Sequence, residues 1–211
     1  MNTFSKKHQV PVYITKATLA NSRLSLTNEL AINFEAYMPI NIGDLAIIPF
    51  PKLHDASDPY SFIINCNKIS VGVFTDIGTP CQQLIKHFKQ CHAAFLETNY
   101  DEQMLENGSY PLTLKRRIRG GMGHLSNRQA LDLFIKHKPS FMSHLFLSHL
   151  SRNNNCPELV NELFKGYAGN VKMIVASRYE ETAVYQIESS TRVLRPLHRG
   201  VISSQLAFSF A

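Results

Sequence analysis

Residues 141–158, FMSHLFLSHLSRNNNCPE, constrain the fold more tightly than any other part of this chain. Residues 141–148 carry Leu145, Phe146 and Leu147 in succession, the length and bounding of a buried strand. The run stops at His149, and a polar turn over residues 151–155 follows at once. Pro157 then opens a helix, a position where its missing N–H does no harm. A histidine at the junction of a buried strand and a loop is fixed at its base and open at its tip. That is how an α/β protein presents a metal ligand or an acid/base group. The same histidine could simply cover a strand end, so the rest of the chain has to decide.

With 211 residues and 44% of them hydrophobic, one domain with a substantial core is expected. No apolar run approaches the ~20 residues needed to span a bilayer, so no membrane partner is expected. The first ten residues are polar and include Lys6, Lys7 and His8, unlike a signal peptide. Cys66, Cys81, Cys91 and Cys156 form no C-x-x-C pair and no framework spacing. They read as reduced thiols, and a cytoplasmic location is expected. The net charge of +6 favours an anionic partner, nucleic acid included, without assigning a site.

Taken in order, residues 10–15 and 31–38 read as strands with a short helix over 18–25 between them. Residues 44–50, DLAIIPF, are a stronger strand of the kind covered on both faces. Residues 61–65 and 69–74 are β-rich and close enough for a hairpin through Cys66, Asn67 and Lys68. After Pro80 the period changes, and Leu84, Ile85 and Phe88 suit one face of a helix ending near Cys91. A brief strand over 93–96 and helices over 101–106 and 111–118 follow. Ser126 is placed to cap a helix running through Ile135. After the 141–148 strand come a helix over 157–164, a strand over 171–176 and a last strand over 183–187. We expect one domain over residues 1–187 and a C-terminal tail over 188–211, with no repeat of solenoid length.

Three of these strand ends share a property. The 44–50 run leads to His54, the 69–74 run to Asp76 and the 141–148 run to His149. Imidazole and carboxylate donors of this kind suit Zn²⁺, Mn²⁺ or Fe. Gly123-His124-Leu125-Ser126-Asn127 follows a glycine-rich turn whose backbone can approach a ligand closely. Its His-Leu-Ser-Asn pattern nearly recurs, with one residue inserted, at residues 149–153. Glu97, Asn99 and Asp101 form a further polar cluster at a strand end. Loop and cap hydrogen bonding would account for each cluster alone; their repetition at strand ends points to a site.

The segments HDASDP (54–59), TDIG (75–78), ETNYD (97–101), YPLTLKRRIRGGMGHLSN (110–127) and HLSRNN (149–154) carry a resemblance in their order and spacing. The chain resembles the metallo-β-lactamase-fold hydrolases, and within them the YycJ/WalJ-like branch, from about residue 10 to about residue 181. The resemblance implies an α/β (α+β) fold, an αββα sandwich. It implies His54 as ligand of a first metal, Asp76 as the carboxylate bridging two metals and His149 as ligand of the second. His124 resembles the family's additional active-site histidine, suited to contact phosphate or protonate a leaving group; Asp76 and His124 are thus the expected catalytic residues. Asn99, Asn127, Asn153 and Asn154 are the expected supporting and substrate-binding residues. Lys115, Arg116 and Arg117, with Arg119 just beyond, read either as a phosphate-contacting patch or as an ordinary solvated helix face.

The chain also departs from the family. The His-x-His-x-Asp-His run that provides most ligands there does not occur among its nine histidines. Tyr100 stands where the branch commonly has histidine. The resemblance therefore leads us to expect an N-terminally truncated member, with Met1 falling where the helix after that run should lie and one sheet edge left unpaired. Two divalent ions, Zn or Mn, are implied for an intact member, and three residues shared between two metals remain here. The expected function is metal-dependent hydrolysis of a phosphodiester, DNA in particular. The alternative is a catalytically impaired member that binds nucleic acid or a protein without turnover. A third possibility is a sulfur-ester or lactam hydrolase of the same fold, against which the basic helix argues.

Overall fold

The computed structural model describes residues 1–188. A seven-stranded sheet dominates, made of β3 (Ile40–Ile42), β4 (Leu45–Pro51), β5 (Tyr60–Cys66), β6 (Ile69–Phe74), β7 (Ala93–Glu97), β8 (His144–Ser148) and β9 (Lys172–Val175), in that spatial order. The first four strands pair antiparallel and β6 through β9 pair parallel. Two reversals separate β4 from β6, so β4, β6, β7, β8 and β9 all end at one rim of the sheet. That shared rim sets the location of the site.

Local chemistry explains the hairpins. Asn67 and Lys68, at the centre of the β5–β6 turn, both have positive φ, 47° and 69°. A two-residue turn of that type matches the twist of its strands. β3, which the sequence reading did not separate, folds back on β4 through Gly43 at φ 56°, a conformation that glycine adopts without Cβ strain.

Three helices cover one face: α3 (Gln82–Phe88), α6 (Asn127–His137) and α7 (Pro157–Lys165). Leu84, Phe88, Ala130, Phe134, Val160 and Phe164 from these helices are buried against Phe50, Phe74, Leu96, Leu145 and Leu147 of the sheet. Phe74 and Phe88 approach to 5.7 Å between ring centres, and Phe134 and Phe164 to 6.2 Å. α6 begins with a full capping box, Ser126 and Gln129 each bonding the other's backbone N–H. Strand pairing aligns Pro49, Phe62, Val73, Phe95, Phe146 and Ile174 in one row across the opposite face. Phe34 packs edge-on against Phe62, and Tyr185 edge-on against Phe146, at two ends of this row.

The remaining elements are smaller. α1 (Asn2–His8), β1 (Val12–Tyr13), α2 (Lys16–Ala20) and β2 (Ala31–Ile32) form the N-terminal part, with β1 and β2 paired in parallel. α4 (Glu102–Asn107) and α5 (Leu112–Arg119) lie between β7 and α6. Two expected strands need correction. Only Ala31 and Ile32 of the 31–38 run are in a strand, because Phe34 turns onto Tyr60 and Phe62 and Tyr37 adopts φ 63°. Residues 183–187 form no strand; Tyr185 instead lies over the sheet face, against His144 and Phe146. The expected tail falls, from residue 189 on, outside the described residues.

Candidate metal centre

Four of the site residues stand at or just after strands that end at the shared rim, and His124 lies in the loop between α5 and α6. β4 is followed by His54, β6 by Asp76, β7 ends on Glu97 and β8 is followed by His149. His54, Asp76 and His149 meet there: Asp76 Oδ1 lies 3.8 Å from His54 Nε2 and 3.5 Å from His149 Nε2. Asp76 and His149 both have left-handed backbones, φ 53° and 59°. Such conformations cost on the order of 1–3 kcal/mol each and persist where surrounding contacts impose them. At His149 the contacts are visible. Asn99 Nδ2 donates to the His149 carbonyl at 2.9 Å, and Ser151 N donates to the Asn99 carbonyl at 2.7 Å.

Glu97 sits beneath the cluster with no exposed surface. Its Oε1 accepts from Nδ1 of His124 and Nδ1 of His149, both at 2.7 Å, and its Oε2 accepts from Ile77 N at 2.6 Å. Burial alone would push this carboxyl up, but the three hydrogen bonds outweigh it and hold Glu97 below the usual carboxylate range. The hydrogen bond to Glu97 in turn raises His149, against the opposing effect of burial. One donor atom from each of Asp76, Glu97, His124 and His149 lies within 4.8 Å of the others. Glu97, with both oxygens already engaged, is the group that orients the imidazoles.

Tautomers follow from these bonds. A carbonyl oxygen only accepts, so His54 Nδ1, 2.9 Å from the Gly123 carbonyl, carries a proton, and Nε2 stands 3.6 Å from Asp55 Oδ1 and 3.8 Å from Asp76 Oδ1. His149 is arranged the same way through Glu97. In His124 the nitrogen nearest Asp76 is the one bonded to Glu97, at 4.0 Å from Asp76 Oδ1, so this ring does not aim its free nitrogen at Asp76. His54 Nε2 and His149 Nε2 thus both approach Asp76 Oδ1, while the donors lying within 4.8 Å of one another are those of Asp76, Glu97, His124 and His149. Ligands about 2.1 Å from a tetrahedral ion lie roughly 3.4 Å apart, so the donor types of His54, Asp76 and His149 and their two separations from Asp76, 3.8 and 3.5 Å, suit a divalent transition metal.

Other groups hold the loops. Asp55, beside His54, accepts from Arg117 Nε at 2.5 Å and Nη2 at 3.1 Å, and Asp55 N donates to the Met122 carbonyl at 2.8 Å. The Arg117 guanidinium holds Asp55 below its ordinary carboxyl value. Lys52 Nζ donates to the Thr75 carbonyl at 2.7 Å; burial lowers its pKa, while Asp76 and Glu97 oppose that change.

The expected substrate-binding residues are placed differently from one another. Asn99, Asn127 and Asn154 are buried and bonded within the chain: Asn99 to His149, Asn127 to Asn155, and Asn154 to Ser151. Asn153 is exposed and donates to the Tyr110 hydroxyl. Lys115 Nζ donates to the Glu106 carbonyl at 2.6 Å, and Arg117 is engaged by Asp55. Arg116 is exposed and makes no side-chain hydrogen bond among the described residues. Tyr100 is only 4% exposed and packs with Leu105 and Ile118. Burial pushes its hydroxyl up to about 12.

Three groups escaped sequence reasoning. Glu97 was visible only as part of a polar cluster, and its role depends on partners 27 and 52 residues away. Asn155, whose Nδ2 donates to Thr98 O, Asn99 O and Asn127 Oδ1, looked like any turn residue. The Asp55–Arg117 pair spans 62 residues and has no local signature.

No family model matches the sequence. The chain is 28% identical over 163 residues to exodeoxyribonuclease YycJ of Bacillus anthracis, a match covering 75% of this chain and 61% of the relative. It is 30% identical over 128 residues to exodeoxyribonuclease WalJ of Streptococcus pneumoniae, covering 61% of this chain and 48% of that one. The chain thus spans about half to three-fifths of the length of these curated relatives. Among solved structures it resembles the metallo-β-lactamase fold protein YhfI from Bacillus subtilis, at TM-score 0.59 and 15% identity, over 82% of this chain and 66% of that one. It also resembles Zn²⁺-bound PqqB from Methylobacterium extorquens, at TM-score 0.56 and 14% identity, over 77% of this chain and 62% of that one. This chain accordingly has the metallo-β-lactamase fold, and its sequence is similar to those of the YycJ and WalJ exodeoxyribonucleases.

Proposed function

We propose that this chain is a metal-dependent phosphodiesterase acting on DNA. The observation that carries the reading is the convergence of His54 Nε2 and His149 Nε2 on Asp76 Oδ1, with each imidazole's other nitrogen tied to an acceptor. His54, Asp76 and His149 would hold a divalent metal. Bound there, such a metal supplies Lewis acidity and a water of lowered pKa. Glu97 and the Gly123 carbonyl keep the imidazoles in the ligating tautomer. His124, whose Nδ1 is bonded to Glu97, uses its other nitrogen to contact phosphate or give a proton to the departing oxygen. Support for DNA as substrate comes from the exodeoxyribonuclease names of the relatives and from the chain's net charge of +6.

One observation favours a second reading, a binder without turnover. Lys52 places an ammonium group beside Asp76 and Glu97, a resident cation that offsets part of their charge without metal. Metal analysis of the purified 211-residue chain, with hydrolysis of a labelled DNA strand in Zn²⁺ or Mn²⁺, separates the two. Bound metal together with cleavage that is lost in Asp76→Ala and His149→Ala supports the enzyme. Absence of both metal and cleavage supports the binder.

A further inference from the structure

β9 ends at the same rim as β8, so the residues after Val175 lie beside His149. Between them is a cleft of about 450 Å³ bounded by His149, Ser151, Arg152, Ser177, Arg178 and Tyr179. None of the residues lining it is an aspartate or glutamate. Arg178, exposed and lining the cleft, donates Nη2 to the Leu150 carbonyl at 2.7 Å. Arg152 is exposed and has no carboxylate partner among the described residues. Tyr179 is 79% exposed, and its backbone is pinned by a hydrogen bond from its N–H to Ser177 Oγ at 3.0 Å. Two arginines free of acidic partners among the described residues, an aromatic ring and a ligand-sized cleft therefore stand directly against one proposed metal ligand.

We propose that this cleft is the subsite for single-stranded DNA next to the scissile phosphodiester, with Arg152 and Arg178 on the backbone phosphates and Tyr179 stacked on a base. The inference takes its substrate class from the function proposed above. Guanidinium groups pair with phosphate through two parallel N–H bonds, which a lone lysine does not. An exposed ring accepts a base face only when that base is unstacked, so the ring selects single strand over duplex. The stacking contact is tolerant of sequence, because every base has a π-face.

The test is fluorescence anisotropy of a labelled 15-residue oligothymidylate with the full 211-residue chain in EDTA, where metal-dependent cleavage cannot obscure binding. Arg152→Ala and Arg178→Ala should each weaken binding several-fold and lower the slope of log affinity against log salt by about 0.7. Tyr179→Ala should weaken it about tenfold, with Tyr179→Phe restoring most of the loss and duplex DNA insensitive to both changes. Binding by all four variants equal to the parent's, or no binding by the parent, overturns the proposal. Hydrolysis of bis(p-nitrophenyl) phosphate by the metal-loaded parent, too small a substrate to need the cleft, is measured alongside. Hydrolysis with unaffected DNA binding rejects the cleft and keeps the phosphodiesterase. Weakened DNA binding without hydrolysis keeps the cleft and rejects the phosphodiesterase.

Discussion

His149 Nδ1 donates to Glu97 Oε1 across 2.7 Å, although 52 residues separate them in the chain. The pair joins the ends of two adjacent parallel strands, Glu97 closing β7 and His149 following β8. It fixes the tautomer of the histidine and the charge of the carboxylate in one contact.

Replacing Glu97 by Gln keeps the shape but removes the charge and one acceptor oxygen, leaving either Ile77 N–H or both imidazole N–H groups facing an amide N–H. Losing an outer partner of this kind typically costs 10–100-fold in metal affinity. Glu97→Gln should therefore bind Zn²⁺ at least tenfold more weakly in a competition titration, with an unchanged circular-dichroism spectrum. Equal affinity would show that Glu97 does not orient the ligands.

The same pair sets a pH window for the metal-free protein. Glu97 is held below its ordinary value of 4.5, so its contribution is present above that value and is lost as pH falls through the lower folded value. His149 is held above its ordinary 6.5, so its contribution is complete below that value and is lost as pH rises through the higher folded value. Both contribute between about pH 4.5 and 6.5. Urea midpoints in EDTA should show parent and Glu97→Gln differing more at pH 5.5 than at pH 9, and a constant difference would refute the coupling.

Gly123 supplies the carbonyl that anchors His54, and a Cβ there would stand 2.2 Å from both the Arg117 and Ile118 carbonyl oxygens. Backbone atoms cannot yield as a flexible side chain does. Gly123→Ala should cost about 1–3 kcal/mol in chemical denaturation and weaken metal binding through His54. Gly166→Ala is the control: a Cβ there meets nothing within 4 Å and φ is −70°, so stability should change by less than about 1 kcal/mol.

Asn155 holds three acceptors with one amide nitrogen, two of them carbonyls just past β7. Asn155→Ala leaves those buried groups without their donor, at about 1–3 kcal/mol. Asn153→Ala loses a single exposed bond to Tyr110 and should stay within about 0.5 kcal/mol. Thermal midpoints of the two variants should differ accordingly, and equal midpoints would mean that Asn155 does not organise the rim.

Much of this molecule was legible in its sequence because the signals are local. Alternating and continuous apolar runs mark β4 through β8, Ser126 marks the start of α6, and Pro157 marks the start of α7. A strand's length and the residue that follows it are written in neighbouring positions, so His54, Asp76 and His149 could be picked out as strand-end groups. The expected strands over 31–38 and 183–187 failed for a related reason: their apolar residues pack onto sheet neighbours far along the chain, as Phe34 does on Phe62 and Tyr185 on Phe146. Propensity records that a side chain is apolar, not which surface receives it.

What the sequence alone determined, then, is which residues stand at the ends of strands. Only the tertiary structure decided that those ends share a rim, because that depends on strand order and direction, which no local pattern encodes. It alone showed Glu97 serving two histidines, Arg117 held by Asp55, and Arg178 and Tyr179 brought beside His149. Hydrogen-bond partners dozens of residues apart are selected by the geometry of the folded sheet, and their energy exists only once that sheet has formed.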